Sequence, residues 1–236
     1  MQIPFEHIGN FYKGRFIIEP VLLAEKLKRI KAYIFDWDGV FNDGYKDERG
    51  SSPFSEIDSM GTNLLRFNHY LRNGEIPLIV IITGEKNHSA FKLAQREHFN
   101  AVYYSIKNKQ EALYYICDHH KITPEEVAFV FDDVLDFSIA AVAGLRVMVP
   151  HSANPLLIEF ALQQGLADYI TYHDGSTHAV RETTDLLMTL SDQYENTIRQ
   201  RMEFSSSYRQ YLSKRQILVT CFFTMESSVF IQSLLP

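Results

Sequence analysis

The chain has 236 residues, 46% hydrophobic and 22% charged, with a formal net charge of -6 and a pI near 5.8. This suits one sizeable globular core, and the acidic balance excludes the basic face that a nucleic-acid scaffold needs. Cys117 and Cys221 are too few for a disulfide framework and wrongly spaced for a zinc site, which points to a reducing cytoplasm.

Met1 to Gly14 is mixed polar and aromatic, without the basic start and long apolar run of a signal peptide. Pro20 opens a helical stretch in which Leu22, Leu23, Leu27 and Ile30 share a face, with Lys28, Arg29 and Lys31 closing it. Tyr33 to Phe35 then reads as a buried strand that stops at Asp36-Trp37-Asp38-Gly39 and continues to Gly44. From Tyr45 to Ile57, charged residues surround the turn signal Glu48-Arg49-Gly50-Ser51, which predicts a small β-hairpin flap beside the site. Met60 to Asn73 carries a helical stripe stopped by Gly74, and Pro77 to Ile82 is a continuous apolar run of the kind buried in a parallel sheet.

That second strand ends at Thr83-Gly84. A helix over 88–99, a short strand over 101–104 and a helix over 110–119 follow. Val127 to Phe131 is a third buried strand, ending in Asp132-Asp133 with Asp136 close behind. A helix to Ala143, a strand over 145–149, a helix from Asn154-Pro155 to Gln164, a strand over 168–171 and a helix over 179–190 complete the regular part. Ser191 to Gln216 is polar, and Ile217 to Pro236 is apolar without a clear period. Its run to Met225 is too short to span a bilayer. Strands alternating with helices at this spacing imply an α/β, doubly wound, mostly parallel sheet with helices on both faces.

The carboxylates concentrate at strand ends, where open α/β sheets keep their chemistry. An ionised Asp36 suits attack on an electrophile such as phosphorus. Asp38, re-aimed by the turn at Gly39, suits protonation of the departing oxygen. Alone, an Asp-x-Asp serves equally well as a loop cap or a metal clip. Two acid clusters at two strand ends form an oxygen-rich set that selects Mg²⁺. Asp36 and Asp132 are expected as direct ligands with the main-chain carbonyl of Asp38, while Asp133 and Asp136 hold metal-bound waters or orient a lysine. Thr83 offers a hydroxyl and Gly84 a backbone N–H to phosphoryl oxygens. Lys109, at a helix start, is the expected cation, with Lys107 its rival.

Asp36-Trp37-Asp38-Gly39-Val40, Thr83-Gly84, Lys109 and Asp132-Asp133 with Asp136 resemble the four motifs of the haloacid dehalogenase superfamily. The stretches 36–44, 54–61, 167–171 and 179–182 resemble, more narrowly, the 3-deoxy-D-manno-octulosonate 8-phosphate phosphatase family. The resemblance covers about residues 27–190. It implies a capless, Rossmann-like phosphatase domain over 1–190 with its flap at 45–57, followed by a C-terminal extension over 191–236 of unknown role. It further implies Asp36, Asp38, Thr83 and Lys109 as catalytic residues, Gly84, Asn42 and Asp58 at the substrate, and Asp36, Asp38, Asp132, Asp133 and Asp136 at Mg²⁺. A homotetramer is expected, in which a neighbour's flap and tail close the open site.

The expected activity is Mg²⁺-dependent hydrolysis of a small phosphorylated sugar acid, in lipopolysaccharide biosynthesis, with neither nucleic acid nor membrane as partner. The rivals are a phosphatase for a nine-carbon keto-acid 9-phosphate and a non-catalytic binding protein on the same fold. Asn42, Ser59, Phe131 and the segment 174–178 depart from the family pattern, and Phe131 is expected to set a bulky side chain where the backbone runs close to the site. His69, His119 and His120 are expected on the surface.

Overall fold

A computed structural model describes residues 4–234. Strands β1 (Arg15–Phe16), β2 (Ala32–Phe35), β3 (Leu78–Ile82), β4 (Ala101–Tyr103), β5 (Val127–Phe131), β6 (Leu145–Met148), β7 (Tyr169–Ile170), β8 (Cys221–Glu226) and β9 (Val229–Ser233) form one sheet. Their order is β1-β7-β6-β5-β2-β3-β4-β8-β9. All neighbours run parallel except the two edge pairs, β1 with β7 and β8 with β9. The helices are α1 (Phe5–Ile8), α2 (Pro20–Leu27), α3 (Glu56–Asn73), α4 (His88–Glu97), α5 (Lys109–His120), α6 (Phe137–Ala140), α7 (Pro155–Gln163), α8 (Ala179–Leu190), α9 (Tyr194–Met202) and α10 (Ser206–Gln216).

Alternation along the strands divides the core in two. Tyr33, Phe35, Ile79, Ile81, Ala128 and Val130 face a layer built with α2, α3, α4 and α8. Ala32, Ile34, Val80, Ile82, Phe129 and Phe131 face the opposite layer of α5, α6 and α7. With apolar cover on both sides, the central strands read as unbroken hydrophobic runs, and the doubly wound parallel sheet expected from the sequence is the one observed. From β2 the chain winds outward through β3 and β4, then returns to place β5 on the other side of β2. The carboxyl ends of β2 and β5 therefore flank the crevice where the winding reverses, and ligands of such sheets bind there.

Three expectations need correction. Segment 45–57 pairs no strands. Asp47 Oδ1 accepts from the N–H groups of Arg49 and Ser51, and the Asp47 N–H donates to the Ser51 carbonyl at 2.9 Å. One side chain thus satisfies groups that a ladder would have used, Pro53 has no N–H to give, and α3 starts already at Glu56. After β5, the helix expected to run to Ala143 is a 3₁₀ turn over Val134–Asp136 joined to the four-residue α6, because Asp133 and Asp136 cap that turn reciprocally. His69 is buried, 5% exposed, with Nδ1 3.3 Å from the Tyr33 hydroxyl, whereas His119 and His120 lie on the surface.

The C-terminal segment is part of the same body. In α10, Tyr208 and Tyr211 pack on Phe67 of α3, with ring centroids 5.0 and 5.3 Å away, and Arg215 pairs with Glu97 of α4 at 3.0 Å. Strand β8 then adds in parallel to β4, with Phe222 beside Val102, and β9 folds back on it as the new edge. Among the described residues no helix is long and apolar enough to cross a membrane.

Candidate active site

The end of β2 delivers Asp36, the end of β3 Thr83, the end of β5 Asp132, and the first turn of α5 Lys109. All four side chains are buried. Lys109 Nζ lies 2.6 Å from Asp36 Oδ1 and 2.6 Å from Asp136 Oδ1, bridging the two carboxylates. Burial by itself lowers the Lys109 pKa, but the two carboxylates outweigh it and hold the amine charged, above its ordinary value. Lys107 is exposed and takes no part.

Asp36, Asp132 and Asp136 each offer one carboxylate oxygen, and these atoms lie within 4.8 Å of one another. Asp132 Oδ2 bonds His151 Nε2 at 2.8 Å, while Asp132 Oδ1 is buried without a partner. Burial pushes the Asp132 carboxyl up to about 7; the His151 bond works against that rise and the charge of Asp36 adds to it. Asp136 is likewise raised, through burial and then the nearby Asp36, with Lys109 opposing. His151 is raised in turn by its bond to Asp132. Three buried carboxylates face one lysine and one histidine. That excess of negative charge around an unsatisfied oxygen fits a hard divalent cation.

The loop after β2 comes close to Asp132 because Gly39 allows it. Gly39 adopts φ +86°, and a Cβ there would lie 2.0 Å from Asp132 Oδ2. Asp38 turns to the mouth of the site, where Lys46 Nζ donates to its Oδ2 at 2.5 Å, and Ser52 Oγ and Asn87 Nδ2 donate to its Oδ1 at 2.6 and 3.3 Å. Thr83 Oγ1 accepts only a long bond from the Glu85 N–H, 3.4 Å. A Cβ on Gly84 would meet nothing closer than 3.8 Å, so its backbone borders open space.

Three sequence candidates stand outside the carboxylate cluster. Asp133 is exposed and caps the 3₁₀ turn through the Val134 N–H, outside the carboxylate cluster. The Asn42 side chain braces its own loop, accepting from the Gly44 N–H at 2.9 Å and donating to the Trp37 carbonyl at 3.4 Å. Asp58, 1% exposed, accepts from the Arg181 N–H at 2.9 Å and from His178 at 3.2 Å, tying α3 to the start of α8. Phe131 also differs from expectation. The residue before an inward-facing Asp132 points to the other face, and Phe131 stacks on Phe129 in the core, centroids 5.4 Å apart.

His151, just beyond β6, joins the cluster without a motif in the sequence to announce it. Its signal is faint: β6 pairs with β5 in the register Phe131↔Met148, which sets the chain after β6 beside Asp132. A cleft of about 910 Å³ lies at the opposite ends of the strands, lined by Arg29, His69, Glu75 and Glu126 among others. Its mixed charges stand far from these groups along the sheet.

No family model matches the chain. Over 167 residues it is 32% identical to the 3-deoxy-D-manno-octulosonate 8-phosphate phosphatase of Salmonella typhi, an alignment covering 69% of this chain and 81% of that one. Among solved structures it is similar to the enzyme of the same name from Yersinia pestis, with 29% identity, a TM-score of 0.60 and coverage of 73% of this chain and 88% of that one. The fold also matches that of the Moraxella catarrhalis phosphatase, solved with a magnesium ion, a phosphate ion and KDO, at 24% identity, a TM-score of 0.63 and coverage of 75% and 97%.

Proposed function

Since the chain belongs to the 3-deoxy-D-manno-octulosonate 8-phosphate phosphatase family of the haloacid dehalogenase superfamily, we propose that it is a Mg²⁺-dependent phosphomonoesterase acting on a small phosphorylated sugar acid. The observation that carries this reading is the buried cluster of Asp36, Asp132 and Asp136, crossed by Lys109 and left with one unpartnered oxygen at the switch point of the sheet.

Asp36 and Asp132, with the main-chain oxygen of Asp38, would hold the cation, and Asp136 would fix Lys109. Bound there, Mg²⁺ supplies positive charge to the phosphoryl oxygens. Asp36 attacks phosphorus as the ester oxygen leaves, and Asp38 gives that oxygen its proton. The aspartyl-phosphate is opened by a water whose proton returns to Asp38, which restores both aspartates. Thr83 and the Gly84 N–H take phosphoryl oxygens, and Lys109 balances the charge that develops. Ser52 and Asn87 keep Asp38 aimed from the mouth of the site.

An eight-carbon keto-acid phosphate is the substrate favoured by the named relatives; the nine-carbon analogue is the second reading. Bordered by the single-turn loop 45–55 and lacking a cap domain, the site needs a further cover against water, which a neighbouring copy would provide in a cytoplasmic homotetramer. Phosphate release from eight- and nine-carbon keto-acid phosphates and from p-nitrophenyl phosphate, with Mg²⁺ and with EDTA, tests the reading. Metal-dependent release with a strong preference for one sugar acid supports it. The absence of release from every ester, with metal bound, would sink it in favour of a binding protein. Light scattering on the eluting protein gives the number of copies.

A further inference from the structure

We propose that His151 is a positioning residue for the metal: by donating its Nε2 hydrogen to Asp132 Oδ2, it turns the unpartnered Asp132 Oδ1 toward the cation. The inference rests on the Mg²⁺ reading above and goes beyond the residues named there. A carboxylate held by one oxygen at 2.8 Å has lost its freedom to rotate, and the oxygen left over is buried and without a hydrogen-bond donor. An oxygen so placed costs free energy in the metal-free protein, and a cation recovers it.

The local backbone is arranged around this contact. The Val149 N–H donates to the Phe131 carbonyl at 2.7 Å, locking the chain after β6 to the end of β5. The Asn154 N–H closes the turn onto the His151 carbonyl at 3.2 Å, so the imidazole is presented from a fixed loop. Gly39 leaves the space: a Cβ there would lie 2.0 Å from Asp132 Oδ2 and 2.9 Å from His151 Nε2. The nucleophile loop, the end of β5 and the loop after β6 therefore meet at one hydrogen bond.

The experiment compares EDTA-stripped wild type with His151→Gln, which keeps an Nε2 donor, and with His151→Asn and His151→Ala, which lose its reach. Each is titrated with Mg²⁺ in a calorimeter. Loss of the orienting bond is expected to weaken Mg²⁺ binding about 10- to 100-fold in His151→Asn and His151→Ala, the usual effect of removing a partner behind a metal ligand, and by much less in His151→Gln. At saturating Mg²⁺ the KM for p-nitrophenyl phosphate is expected to stay at the wild-type value. The melting temperature in EDTA is expected to fall in His151→Asn and His151→Ala, which leave Asp132 Oδ2 buried without its donor, a loss that a merely structural histidine would share; the weakened Mg²⁺ affinity at unchanged KM is what a merely structural histidine would not give. If His151→Ala does not fold, His151→Asn against His151→Gln makes the same comparison. Equal Mg²⁺ affinity in wild type and the folded donor-less variant overturns the proposal while leaving the metal reading intact. A wild type that binds no Mg²⁺ overturns both.

Discussion

Asp36 and Lys109 depend on each other. Lys109 is 2% exposed, and replacing it by Met would leave Asp36 and Asp136 as uncompensated charges in the interior. Breaking a buried pair in this way costs about 3–5 kcal/mol, so Lys109→Met is expected to unfold at clearly lower urea, measured in EDTA, besides losing turnover. Asp36→Asn keeps the size of the side chain and removes the proposed nucleophile; phosphate release at background level is expected. Gly39→Ala meets both a strained backbone at φ +86° and an overlap with Asp132. Displacing the nucleophile loop by an ångström is expected to lower kcat/KM about 10²-fold in steady-state assays. His69 supplies a pH dependence far from the site. Burial, then the charge of Arg72, lowers its pKa to about 4, so the folded state keeps it neutral while the unfolded chain protonates near 6.5. The unfolded state therefore binds more protons between these values, and stability present above pH 6.5 is lost as the pH falls toward 4, by up to about 3 kcal/mol. Urea unfolding at pH 7.5, 5.5 and 4.5 is expected to show this slope in wild type minus His69→Gln, a difference that cancels the other titrating groups.

At the scale of elements, the strands that carry the chemistry were legible because burial on both faces leaves an unmistakable mark, the apolar run broken by an acid. Val127 to Phe131 followed by Asp132 has this form, and the run to Ile82 is broken instead by the hydroxyl of Thr83. The flap departs from the expected hairpin because Glu48-Arg49-Gly50-Ser51 specifies a turn but not whether its arms pair. The Asp47 side chain took the hydrogen bonds instead. The tail was opaque for another reason. Strand β8 is mostly half-buried on both faces, so Cys221–Glu226 carries no distinct period, and only the open edge of β4 makes it a strand. Phe222 anchors it, 4% exposed and 5.3 Å from the ring of Phe91. Phe222→Ala is expected to cost about 3–5 kcal/mol in urea unfolding, the usual loss for a buried aromatic, with turnover by the folded fraction unchanged.

For the molecule as a whole, the proposed cation site would couple chemistry to folding. A ligand bound only by the native state stabilises it by about 2.7 kcal/mol at a hundred times its dissociation constant. The melting temperature is therefore expected to rise with Mg²⁺ in wild type and to stay flat in Asp132→Asn, as read by calorimetry. The sequence alone determined the doubly wound sheet and the strand ends at which Asp36, Thr83 and Asp132 stand, because periodicity is a local property. Tertiary structure decided which carboxylates converge. It gave the side chains of Asn42, Asp58 and Asp133 backbone N–H groups to cap, turned Phe131 into the core, brought His151 against Asp132 and drew the tail into the sheet. Those outcomes depend on contacts between residues far apart in the chain, and their energies exist only once the parallel register has placed the strands side by side.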